Sequence, residues 1–335
     1  KILRIRSFLP LLMFSIASRS AHCRFASARR QALSIRHASN GVTPDVRRAG
    51  VKKMIEEGTL VRAMEAHSGL SGLIVEHARG AGGERFNCTW SSSLTSSTVK
   101  GKPDIETVDT TGRVGIVEDV LEVTTLPMIY DGDTGGHAPQ IFHFTVRTLE
   151  RLGVSACIIE DKTGLKQNSL FGVDRKQSLE DIDVFCAKIA AGKKAQVTDD
   201  FMIFARLEAL IAGWGEKEAL MRAKAALDAG ADGVMIHSKE KDGKEILSFL
   251  DEYNKFPNRG PVVCVPTTYN SLTEKELQLA GAQVIIHANQ LLRAAYPPML
   301  KCAETILTHG RSKEMDDHLL SVKKILTMID DGTSE

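Results

Sequence analysis

The 335-residue chain is 43% hydrophobic and 25% charged, an ordinary globular composition with enough apolar matter for one barrel-sized domain or two smaller ones. Its formal charge of +1 hides an asymmetry: eight of the 43 basic residues (Lys1, Arg4, Arg6, Arg19, Arg24, Arg29, Arg30, Arg36) precede Asp45, the first acidic residue, which leaves 35 against 42 acidic ones. A body near −7 carries no basic footprint for nucleic acid, and past the opening segment no apolar run approaches the ~20 residues of a membrane-spanning helix.

In chain order, residues 1–43 read as a targeting segment, disordered or removed. The stretch is Arg- and Ser-rich and free of acids, with Leu3, Ile5, Phe8, Leu9, Leu11, Leu12, Phe14 and Ile16 spread between the charges, the pattern of an amphipathic mitochondrial transit peptide. A secretory signal built on Phe8–Ala17 and a cytoplasmic location are the alternatives. The six cysteines (Cys23, Cys88, Cys157, Cys186, Cys264, Cys302) are scattered with no C-x-x-C pair, so neither a zinc knuckle nor a disulfide framework is indicated.

From residue 44 to 335 short β-rich runs alternate with amphipathic helical patterns, with no second linker, which predicts one continuous catalytic domain. Strands are expected at Leu60–Ala66, Arg85–Trp90, Leu126–Asp131, Val154–Glu160, Met202–Arg206, Gly233–His237, Val262–Val265 and Gln283–His287. Helices are expected at Gly69–Arg79, His143–Leu152, Ser178–Ala191, Glu216–Ala229 and Glu274–Ala280, several closed by a glycine such as Gly153, Gly230 or Gly281. Eight β-then-α units argue for an α/β fold of the closed (β/α)8 TIM type over an open doubly wound sheet. Two further helices, Leu291–Leu307 and Lys313–Met328, complete or exceed the ring.

In such barrels chemistry gathers where strands end, and polar residues are dense at those positions. Asp131 and Asp133 leave the third strand among glycines, and Glu160 and Asp161 end the fourth. Several carboxylates without Cys or clustered His suit a hard, oxygen-seeking cation such as Mg²⁺. Lys162, Lys166, Arg206 and His237 bring the opposite charge to the same rim, with Asn168 and Ser169 as neutral hydrogen-bond partners. A cation site beside cationic donors points to a small substrate with several anionic oxygens, such as a phosphorylated carboxylic acid.

Glu160-Asp161-Lys162, followed after five residues by Asn168-Ser169, resembles the signature of the phosphoenolpyruvate mutase family within the isocitrate lyase superfamily. The resemblance extends from about Leu60 to Met328 and includes Met64 to His67, Trp90 to Leu94, Asp131 to Gly135, Phe204 to Ala209, Ile211 to Gly215 and Ile236 to Lys239. It implies an isomerase that interconverts phosphoenolpyruvate and 3-phosphonopyruvate, the entry to phosphonate biosynthesis. It also implies that Asp131 binds Mg²⁺, with Asp133 and Glu160 supporting the ion through water. Arg206, His237 and Asn168 would hold the phosphoryl group, with Ser169 and Lys166 beside them. Ser92 and the backbone of Ser93 and Leu94 would grip the carboxylate, and Trp90 would wall the pocket.

Asp104 matches the aspartate of the family's gating loop, but this chain has Gly101-Lys102-Pro103-Asp104-Ile105-Glu106 where the family commonly has Gly-Val-Arg-Asp followed by Asn-Glu. Gly136-His137-Ala138 likewise replaces the usual Tyr-Gly-Asn. Phosphonopyruvate hydrolase is the nearest alternative. A lyase acting on isocitrate or 2-methylisocitrate is more distant, since those relatives carry a catalytic Cys in the mobile loop and Leu94–Glu106 contains none. A catalytically silent barrel is the alternative from another class. The family forms homotetramers, dimers of dimers that exchange a C-terminal helix, a role that Leu319, Leu320, Val322, Ile325, Leu326 and Ile329 would suit.

Overall fold

The structure, a computed structural model, describes residues 42–329, so the expected targeting segment and Cys23 lie outside the described residues apart from Val42 and Thr43. Eight parallel strands close into a barrel in sequence order: β1 (Val61–Glu65), β2 (Cys88–Ser91), β3 (Met128–Asp131), β4 (Ala156–Glu160), β5 (Met202–Leu207), β6 (Gly233–Ile236), β7 (Val262–Cys264) and β8 (Val284–His287). All eight fall within or across the expected runs. The closed ring rules out the open doubly wound sheet.

Strand periodicity explains how the barrel aims its side chains. On β4, Ala156 and Ile158 fill the barrel interior while Cys157 and Ile159 pack outward against the helices. The same two-residue period puts Val61 and Ala63, Cys88 and Trp90, Met202 and Phe204, and Val284 and Ile286 inside. Carried to the C-terminal ends of the strands, each inward row runs out of apolar residues and ends in a polar one: Ser92, Asp131, Glu160, Arg206 with Glu208, and His237. The site therefore sits at the C-terminal mouth of a solid barrel. The opposite mouth is closed by α1 (Pro44–Glu56), whose Val51 packs into the interior cluster with Met54 and Ile55 at its edge.

The ring helices are α2 (Gly69–His77), α3 (Ser93–Val99) with α4 (Thr110–Val123), α5 (Pro139–Leu152), α6 (Ile182–Ala195), α7 (Glu216–Asp228), α8 (Lys244–Tyr253), α9 (Glu274–Leu279) and α10 (Gln290–His309). Helix α5 ends as expected at Gly153, whose φ of 85° serves the left-handed cap. Helix α6 starts at Ile182 rather than Ser178, because Asp181 caps it by accepting from Asp183 N and Val184 N.

One expected element is overturned. Lys313–Met328 is not a helix: a 3₁₀ turn at Lys313–Met315 and the five-residue α11 (Val322–Leu326) flank a non-helical stretch. Leu319, Leu320, Val322, Ile325, Leu326 and Ile329 are all exposed in the single chain, so no barrel surface organises this segment.

Candidate active site

A cavity of about 50 Å³ at the barrel mouth is lined by Trp90, Ser92, Ser93, Leu94, Asp104, Asp131, Lys166, Asn168, Ser169, Arg206 and His237, with Met235, Val265 and Ala288 among its apolar walls. Eleven of the thirteen residues expected at the site thus face one space. The other two, Asp133 and Glu160, lie just behind it and reach it through their partners.

The acidic side is built around Asp131. Its Oδ2 accepts from Ser93 N (3.1 Å) and Ser93 Oγ (2.8 Å), and its Oδ1 from Asp133 N (3.3 Å). Burial alone would raise this carboxyl, but Lys166, Arg113 and Arg206 hold it down at about 2, so Asp131 is ionised at any working pH. Asp133 shows the opposite balance. Burial, together with the Asp131 charge, outweighs Lys166 and pushes it up to about 6. The backbone N–H of Ser93, expected to grip a substrate carboxylate, is taken by Asp131 in this structure.

Glu160 is buried, and neither of its carboxylate oxygens accepts a hydrogen bond among the described residues, although Arg206 Nη2 lies 3.3 Å from Oε2. Burial raises its pKa against the pull of Lys162 and Arg206. Buried polar atoms without partners are rare and ask for a missing water, ion or ligand. The donors available here are all hard oxygens. A set of this kind suits a cation that keeps most of its waters and takes one or two carboxylates.

The basic side converges on Glu208. Its Oε1 accepts from Arg206 Nε (2.5 Å) and lies 2.9 Å from His237 Nδ1, while its Oε2 accepts from Ser169 Oγ (2.6 Å) and pairs with Lys162 Nζ (3.0 Å). Burial opposes ionisation, but Arg206, Lys162 and His237 together hold Glu208 well below the usual carboxylate range. Arg206 Nη2 in turn donates to Ser169 Oγ (2.7 Å). Burial and the adjacent Arg206 push His237 below the ordinary imidazole value, so the ring is neutral near pH 7.

A lid closes over this arrangement, formed by two loops rather than one. Asp104, from the loop after β2, accepts from Asn168 Nδ2 (2.6 Å) and pairs with Lys166 Nζ (3.3 Å), both on the loop after β4. Lys166 also reaches Asp133 Oδ1 (2.5 Å) and donates to Ser93 Oγ (2.9 Å). No cysteine lines the cavity, and none stands between Asp161 and Leu179 on the second loop.

Three contributors lie outside the thirteen residues expected at the site. Glu208 is the hub of the basic side; its spacing of two from Arg206 was the available signal. Arg113, buried on α4, donates from Nη1 to Asp131 O and from Nη2 to Ser91 O (2.8 Å), lies 3.3 Å from Asp133 Oδ2 and stacks over the Tyr130 ring. It thereby fixes the backbone that carries both acids. Glu106 ties the lid loop to its neighbours.

The family model for phosphoenolpyruvate phosphomutase matches residues 51–307. A phosphoenolpyruvate phosphomutase from Tetrahymena pyriformis is 35% identical over 278 residues, 83% of this chain and 89% of that protein. A phosphonopyruvate hydrolase from Variovorax sp. is 36% identical over 280 residues, 83% of this chain and 93% of that protein. A solved phosphonopyruvate hydrolase in complex with oxalate and Mg²⁺ superposes with a TM-score of 0.74 at 33% identity, covering 86% of this chain and 95% of that one. The match to the family model over most of the chain, the barrel and the convergence of the signature residues at its mouth lead to one conclusion: this enzyme belongs to the phosphoenolpyruvate phosphomutase family.

Proposed function

We propose that the protein is a Mg²⁺-dependent phosphoenolpyruvate phosphomutase that interconverts phosphoenolpyruvate and 3-phosphonopyruvate. The observation that supports this reading over hydrolysis is the closed lid. Asp104 is drawn onto Lys166 and Asn168, and these three line the same cavity as Arg206, His237 and Ser169. A phosphoryl group in flight between oxygen and carbon has to be kept from water, and a lid held by these contacts would serve that exclusion.

In the forward direction the bond from phosphorus to the enol oxygen breaks and the bond from phosphorus to C3 of the same pyruvate enolate forms, with no atom gained or lost. A loose transition state of this kind asks the protein for positioning and charge rather than covalent help. Arg206, held rigid by Glu208 and Ser169, supplies a fixed positive charge to the phosphoryl oxygens. Neutral His237 and the amide of Asn168 add directional hydrogen bonds. Mg²⁺, held by Asp131 with Asp133 and Glu160 through water, would supply the charge that stabilises the enolate. The Mg²⁺ in the related hydrolase structure supports that choice of ion.

The purified protein is expected to form phosphoenolpyruvate from phosphonopyruvate, followed directly by the ultraviolet absorbance of the enol phosphate without a coupling enzyme. EDTA should abolish the signal and added Mg²⁺ restore it. Turnover that persists in EDTA would contradict the metal assignment. Two further parts of the reading rest on sequence: the acid-free N-terminal segment supports delivery to mitochondria, and the exposed apolar C-terminal residues support assembly as a dimer of dimers. Imaging of a fusion carrying residues 1–43 and sedimentation of the purified protein test them; diffuse fluorescence or a monomer would contradict them.

A further inference from the structure

The contacts that close the lid share a weakness. Lys166 and Asn168, which hold Asp104, also line the cavity, so a bound substrate competes for the same donors. A second anchor, clear of the substrate space, stands two residues further on. Glu106 has a φ of 63°, one of two non-glycine residues with positive φ among the described residues. That conformation is sterically unfavourable for a residue with a Cβ and persists only where its surroundings enforce it.

The turn sends the half-buried Glu106 side chain away from the cavity into a separate cleft behind the lid, shared with Gly135, Gly136 and His137. There Oε1 accepts from Thr134 N (3.1 Å) and Thr134 Oγ1 (2.5 Å), and Oε2 accepts from Lys166 N (3.3 Å). Thr134 follows Asp133 on the loop after β3, and Lys166 belongs to the loop after β4. One carboxylate therefore joins three loops. His137 supports the joint from behind: a Cβ added at Gly164 would lie 2.6 Å from His137 Nδ1 and 3.7 Å from Glu106 Oε2, so the second lid loop rests directly on the imidazole.

We infer that Glu106 is a positioning residue, a latch that couples closure of the two lid loops to the loop carrying Asp131 and Asp133. The two stretches where this chain departs from its family pattern, at Lys102, Pro103 and Ile105 and at Gly136 to Ala138, adjoin this latch. The inference rests on the phosphomutase reading for its effect on products, but not for its effect on closure.

Two readouts separate those layers. In turnover of phosphonopyruvate with Mg²⁺, Glu106→Ala should lower kcat roughly 10- to 100-fold, the scale for losing hydrogen bonds to an ionised group, with a smaller change in KM. It should also raise the share of inorganic phosphate among the products. Glu106→Gln keeps an acceptor for Thr134 and should recover kcat to about tenfold above the Ala variant. Independently of turnover, oxalate with Mg²⁺ should protect Lys100 and Lys176 of the wild-type lid loops from trypsin, and Glu106→Ala should lose that protection. Thr134→Val, which removes one donor and keeps the shape, should shift both readouts in the same direction if the Ala variant does not fold. Wild-type kcat and wild-type trypsin protection in Glu106→Ala would overturn the latch. Phosphate as the sole product of the wild type, with protection lost in Glu106→Ala, would overturn the mutase reading and leave the latch standing.

Discussion

Asp131→Asn is expected to lower phosphonopyruvate turnover by about a thousandfold or more while the barrel stays folded at the assay temperature, as circular dichroism would show. The side chain is ionised at all working pH, since Lys166, Arg113 and Arg206 hold it at about 2 against the effect of burial. Its two oxygens are already oriented by Ser93 and by Asp133 N, so it offers a fixed anionic ligand and not a mobile one. An amide keeps an acceptor for Ser93 and nearly the same volume, which preserves packing. It removes the charge that anchors a divalent cation, and metal charge stabilisation contributes several kcal/mol at about 1.4 kcal/mol per tenfold in rate. Excess Mg²⁺ should not rescue the variant. Activity within tenfold of wild type would move the metal away from Asp131.

The largest effect on stability is expected at Glu208. Glu208→Leu leaves Arg206, Lys162 and His237 buried around an apolar side chain, and removing one partner from a buried charge network costs about 3–5 kcal/mol. The melting temperature should fall by roughly 10 °C on that scale. Acid acts on the same group. The folded pKa of Glu208 is depressed, so its contribution is complete above the ordinary glutamate range near 4.5 and is lost as pH falls through the lower folded value. Wild type should therefore lose stability on acidification below that range more steeply than Glu208→Gln, and parallel profiles would show that the network contributes no net stability.

The strands were readable because a parallel strand buried on both faces is a short apolar run, and because each inward row ends in a polar residue where the barrel opens. That is why Asp131, Glu160, Arg206 and His237 were visible as a rim. Helix α3 is not legible in the sequence because Ser93-Leu94-Thr95-Ser96-Ser97 carries no amphipathic period, and α4 is not because Gly112 and Gly115 interrupt it. Arg113 went with α4. Glu106 looked like a neighbour of Asp104, since nothing in the local sequence announces a left-handed turn at a glutamate. The failed helix over Lys313–Met328 has the complementary cause: apolar spacing is present, but of its residues only Met315 is buried, and Leu319, Leu320, Val322, Ile325, Leu326 and Ile329 stay exposed.

The central claim is that the phosphoryl group passes from carbon to oxygen of one pyruvate skeleton behind a closed lid. A phosphorus NMR time course on phosphonopyruvate, Mg²⁺ and purified wild-type protein tests it most directly. The expected result is loss of the phosphonate resonance with matching growth of phosphoenolpyruvate, and no early inorganic phosphate. Inorganic phosphate and pyruvate as the first products, with no phosphoenolpyruvate at any time, would contradict it.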